Sequence, residues 1–199
     1  VPTLPPFPTP TLVPTKVAPD VLPDVPQSPP NAPAPVEPVA PVTEPQPAAA
    51  GFYRGINLGG SAVSIDGNAW EGSSSPGYTS NGSAACNPWT PLLPETDAAR
   101  TTMIQCYVQH WAHNLVMSDV PNGSYDVYAY VWLDWQDPNP QAFNVTLEGQ
   151  AVQTGIVMSG SGQWQRLGPW HVTVTDGTLD LITDGGLPNL SGIEVWYAP

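Results

Sequence analysis

From residue 51 onward, apolar and polar positions alternate in short runs separated by turn residues, the pattern of antiparallel strands. The runs that predict strands are 52–58, 114–117, 125–133, 142–147, 164–167, 171–174, 179–183 and 193–197. Asn122-Gly123, Glu148-Gly149, Asp176-Gly177 and Asp184-Gly185-Gly186 punctuate them with residues that accept the left-handed conformations of tight turns. One stretch reads differently. Thr96-Asp97-Ala98-Ala99-Arg100 opens with capping residues and continues with helix formers, which predicts a short helix before a strand around 104–108. About ten short strands predict an all-β fold, best fitted by a jelly-roll-type antiparallel β-sandwich with one short helix.

Residues 1–50 carry no such pattern. They hold 17 of the 27 prolines and none of the 18 glycines or eight tryptophans, so the chain divides into an arm, 1–50, and a sandwich, 51–199. Each proline removes an amide donor and holds the residue before it extended, which predicts a polyproline-II-like arm reaching on the order of 150 Å. A disordered stalk is one reading. The other rests on the apolar side chains of Leu4, Phe7, Leu12, Val13, Val17, Val21, Leu22 and Val25, which a bare spacer does not need. Such a segment becomes ordered only against another surface, and a second copy of the same chain offers strand edges and grooves. Thr3, Thr9, Thr11, Thr15, Ser28 and Thr43 stand near prolines and make the arm a candidate for O-glycosylation.

Charge narrows the partners. Seventeen acidic residues against four basic ones give a net charge of −13, which repels phosphate backbones and excludes nucleic acid. No apolar run approaches the roughly 18 residues of a membrane span. A low charged fraction, with a chain opening at Val1, is expected of a processed, secreted or cell-surface protein. In that setting Cys86 and Cys106 are expected to form a disulfide. The alternative is two buried thiols in a reducing compartment.

Several segments carry a resemblance by their order and spacing. Ile56-Asn57-Leu58-Gly59-Gly60 is followed by Ile65-Asp66-Gly67-Asn68-Ala69-Trp70-Glu71. Then come Gly123-Ser124-Tyr125-Asp126-Val127-Tyr128, Phe143-Asn144-Val145-Thr146-Leu147-Glu148-Gly149 and Asn189-Leu190-Ser191-Gly192-Ile193-Glu194-Val195. Together they resemble the malectin-like carbohydrate-binding sandwiches of secreted proteins across most of residues 52–197 and none of the arm. The resemblance implies a sugar site on loops at one end of the sandwich, at Trp132, Asp134 and Trp135 and at Asn189. Sugars present apolar C–H faces and spaced hydroxyls, which indole rings beside amides and carboxylates can satisfy. Trp135, leading into Gln136-Asp137-Pro138-Asn139-Pro140, is the expected exposed ring, whereas Trp111, Trp164, Trp170 and Trp196 are expected to pack.

Catalytic and metal signatures are weak. No acidic pair is recognisable, nor a nucleophile elbow or phosphate loop, so neither an enzyme nor a cofactor is expected. His110 and His113 would point to opposite faces of a strand, and Asp66, Glu71 or Glu194 could hold a structural calcium without any spacing that selects it, so no metal is expected. Asn81, Asn122, Asn144 and Asn189 fit the N-glycosylation pattern. The leading expectation is a non-catalytic extracellular subunit whose arm packs on neighbouring copies to build a filament or surface layer. The alternative is a glycan-binding module on a proline-rich stalk.

Overall fold

The computed structural model describes residues 51–199; the arm, with its apolar residues and candidate O-glycosylated Thr and Ser, lies outside the described residues. In chain order the elements are β1 (Gly51–Asn57), β2 (Val63–Ile65), β3 (Asn68–Trp70), β4 (Tyr78–Ser80), β5 (Ser83–Cys86), α1 (Ala98–Ile104), β6 (Cys106–Gln109) and β7 (His113–Met117). They continue with β8 (Gly123–Trp132), β9 (Phe143–Leu147), β10 (Gln150–Ile156), β11 (Trp164–Val174), β12 (Leu179–Asp184) and β13 (Asn189–Tyr197).

Two antiparallel sheets face each other. The larger runs β11-β8-β13-β6-β5, and the smaller runs β10-β9-β12-β7-β4. On its side away from β8, β13 is shared: β6 pairs with Asn189 and Leu190, whereas β1 pairs from Gly192 to Tyr197. Alternation decides which side chains meet between the sheets. Tyr125, Val127, Ala129 and Val131 of β8 point inward and join Leu115 and Met117 of β7 and Leu179 and Leu181 of β12 in the main core. Each such aliphatic side chain, fully withdrawn from water, contributes roughly 2 kcal/mol.

The opposite face of the larger sheet is also covered. Tyr130 and Trp132 of β8 meet Trp70, Met103, Ile104 and Tyr107 in a second cluster, roofed by α1 and the β2–β3 hairpin. Close approach here depends on glycine. A Cβ at Gly55 would stand 2.5 Å from the Trp70 ring, and one at Gly192 would stand 2.8 Å from Met103 Sδ and 3.0 Å from Trp70. The helix starts at Asp97, whose carboxylate accepts from Arg100 N at 2.8 Å.

The all-β sandwich and its single short helix agree with the sequence reading. Where the two differ, the reasons are local. The runs 164–167 and 171–174 form one strand, β11, because Gly168-Pro169 falls at a bulge between Leu167 and Trp170 on a sheet edge, where a missing amide donor is tolerated. Strands β2, β3, β4, β5 and β10 have no counterpart in the reading. The first four are three or four residues long, and β10 is an edge strand whose side chains are largely exposed, so alternation is faint in all of them.

Candidate functional site

Three adjacent strands deliver the site. Asn189 opens β13 directly between Gln109 of β6 and Trp132 of β8, so these residues form a lateral row at one end of the larger sheet. Asp134, two residues beyond β8, ties the row together. Its Oδ1 accepts from Asn189 Nδ2 at 3.0 Å and its Oδ2 accepts from Tyr107 Oη at 2.9 Å. Gln109 Nε2 in turn donates to Asn189 Oδ1 at 2.7 Å. Burial, then the hydrogen bond to Asp134, pushes the Tyr107 phenol up to about 12, so it remains a donor across the ordinary pH range.

Beside this row lies a cleft of about 330 Å3, walled by the loop after β8, the β6–β7 turn and the segment leading into β13. Leu133, Phe143 and Met158 make its apolar floor, and Asp137, Asn139 and Gln141 bring polar groups to it. Trp135 and Trp111 are 51% and 57% exposed and present indole faces at the rim. The loop that carries Trp135 is held by Gln136 Nε2 donating to Ser159 O at 2.8 Å and by Asp137 Oδ1 accepting from Asn139 N at 2.8 Å.

The four residues singled out from the sequence are thus neighbours in unlike roles. Trp132 is buried, edge-on to Tyr107 with centroids 5.8 Å apart, and its indole N–H has no partner. Asp134 and Asn189 spend their polar atoms largely on one another and on the strands beside them. Trp135 alone offers an open face. Trp111, expected to pack, is instead exposed, because it stands in the tight turn between β6 and β7. Trp170 is buried, and Trp164 and Trp196 are half-buried. Sequence reasoning passed over Asp137, Asn139 and Gln141 as site residues, although the Pro-interrupted loop 136–140 that holds the first two was visible.

The remaining candidates are occupied elsewhere. Glu71 takes both Nε and Nη2 of Arg54 at 2.7 Å, which holds its carboxyl below the usual range. Asp66 pairs with Arg100 at 2.5 Å, and Glu194 with Arg166. The three carboxylates considered for calcium therefore each meet an arginine. Among the described residues no three His, Cys, Asp or Glu side chains converge on a metal position. His110 is exposed in the β6–β7 turn, whereas His113 is buried with Nε2 2.8 Å from Ser80 Oγ. As an N-glycosylation acceptor Asn189 is ruled out, being 1% exposed and hydrogen-bonded on both sides of its amide. Cys86 and Cys106 are cross-strand partners on β5 and β6 and form the disulfide.

No protein-family model matches the chain, and no curated protein matches it in sequence. Solved structures do match. The extracellular domain of ANXUR1 from Arabidopsis thaliana superposes with a TM-score of 0.56 at 10% identity, covering 73% of this chain and 48% of that one. The plant receptor-like kinase FER gives 0.54 at 13%, covering 73% and 49%. A β-glucuronidase of Bacteroides uniformis gives 0.54 at 18%, covering 73% of this chain and 18% of the enzyme. This chain thus spans less than half the length of each receptor structure and under a fifth of the enzyme. At these identities the likeness is one of fold: a β-sandwich architecture found in extracellular receptor domains and as part of a glycosidase, and compatible, together with the disulfide, with an exported protein.

Proposed function

We propose that residues 51–199 are a non-catalytic, exported glycan-binding module, with the cleft between the β6–β7 turn and the loop after β8 as its sugar site. The observation that carries this reading is the pairing of two exposed indole faces, Trp111 and Trp135, with amides and a carboxylate around an apolar floor. Sugar C–H faces stack on such rings while hydroxyls meet the polar groups. Asp134 and Asn189 act as the brace that fixes the loops and not as ligand contacts, because their own network satisfies them. The malectin-like resemblance implies a sugar site at this same end of the sandwich, which supports the reading, and the fold neighbours are compatible with it. The test is a glycan array followed by calorimetry. Trp135→Ala and Trp111→Ala should each weaken binding at least tenfold with no change in melting temperature, since both rings are largely outside the core. Absence of binding across plant, microbial and animal glycans would overturn the assignment.

A second reading draws on the same cleft. Aromatic-lined grooves also receive polyproline-II segments, and the arm of another copy has that composition, so arm-to-body contacts would be heterologous and could propagate into a filament. Deleting residues 1–47 should then abolish assembly in sedimentation and electron microscopy while the sandwich stays folded. Particles unchanged by the deletion would end this reading.

A further inference from the structure

The most exposed large apolar side chain of the described residues, Trp89 at 89%, lies outside the cleft. Its loop is anything but loose. Cys86, three residues before it, is bonded to Cys106, and Asn87 N donates to Gln105 O at 2.9 Å. Gln105 Nε2 donates to Thr90 O at 3.0 Å, and Trp89 N donates to Asn87 Oδ1 at 3.2 Å. A tryptophan whose face stays in water on a loop held from both sides forgoes the roughly 2 kcal/mol or more that burying such a ring would contribute. A preorganised aromatic face of this kind is suited to a ligand.

The loop is also tied to the loop that carries Trp135. Thr90 Oγ1 donates to Asp134 O at 2.8 Å, so Trp89 and Trp135 stand one residue to either side of a direct hydrogen bond. No lysine or arginine lines the cleft, Asp137 does, and the chain as a whole carries −13. An acidic polymer would meet repulsion from Asp137 in the cleft and from the net charge of the chain.

We propose that Trp89 is an outlying stacking subsite that extends the cleft, so that the ligand is a neutral polysaccharide chain of several sugars lying across both and not a single terminal sugar. The inference rests on the glycan-binding reading above and adds a length and a charge to it.

The test uses the full chain with one ladder of neutral β-linked gluco-oligosaccharides, from disaccharide to hexasaccharide, and a uronic-acid hexamer matched in length to the longest of them. Calorimetry should show the neutral hexasaccharide binding about tenfold more tightly than the disaccharide, as one added stacking contact provides. Trp89→Ala should remove that gain while leaving disaccharide affinity within about twofold, whereas Trp135→Ala should weaken both. Because Trp89 touches solvent almost everywhere, its loss will not unfold the domain. A length gain that survives Trp89→Ala, or no length gain at all, overturns the extended subsite but leaves the cleft reading standing. Equal or tighter binding of the uronic-acid hexamer overturns the neutral class. Binding of a peptide of residues 1–47 through Trp89, with no sugar bound by any form, overturns this inference and the glycan reading together.

Discussion

Acidification should unload much of the stability of the sandwich through one side chain, His113. The imidazole is 1% exposed on β7, against Ser80 Oγ and beneath Gly82, and its Nδ1 has no partner. Burial foremost, then the charge of His110, pulls its pKa from 6.5 down to about 4. In the unfolded chain the ring takes up its proton near 6.5, whereas in the fold it resists protonation until about pH 4, so the unfolded state binds more protons between those values. The stabilisation is complete above pH 6.5 and drains away as pH falls toward 4, for a total of about 3 kcal/mol at a limiting slope of roughly 1.4 kcal/mol per pH unit. That is a large part of the 5–15 kcal/mol typical of a whole domain. The assay is urea unfolding followed by tryptophan fluorescence across this window, for the wild type and for His113→Gln, which keeps a polar group but cannot titrate there. The variant should lose the extra pH dependence even if it is less stable throughout. If the two stability curves run parallel from pH 6.5 to 4, or if the imidazole titrates by NMR near its ordinary value, the reasoning is wrong.

Two further predictions address the brace beside the cleft and the disulfide. Asp134→Ala strands Asn189 Nδ2 and Tyr107 Oη, both on buried residues, and should cost about 3 kcal/mol in denaturant unfolding; a loss below about 0.5 kcal/mol would show that water replaces the carboxylate. Replacing Cys86 and Cys106 by serine opens a bridge across a sequence separation of 20 and should lower stability by about 3 kcal/mol, read as a lower melting temperature; an unchanged transition would refute the entropic argument.

Much of the scaffold could be read from residue order. Alternation in 125–133 placed the inward face of β8, the Glu148-Gly149 pair marked the β9–β10 turn with both residues at positive φ, and Asp97 marked the helix start. The β2–β3 hairpin escaped despite Asp66-Gly67 at its turn, since three-residue strands are too short to show a period. At the site, the resemblance implied that Trp132, Asp134, Trp135 and Asn189 share one end of the sandwich, and the loop after Trp135 marked that ring as the exposed one. Neither showed that Asp134 and Asn189 bond to each other or that Trp132 is buried. Trp132 and Trp135 differ by only three positions, yet one ring is walled in by Tyr107 and the other stands at the rim.

The sequence by itself determined the class of fold, the turns and the proline-rich character of the first 50 residues, because period, φ preference and proline chemistry act within a few residues of one another. Only the tertiary structure decided that Trp111 and Trp89 are exposed, that Asp134 is spent on Asn189 and Tyr107, and that three carboxylates answer three arginines. Those outcomes depend on which strands lie side by side. Asn189 meets Gln109 and Asp134 across 80 and 55 positions of chain, and no local pattern records a pairing over such distances.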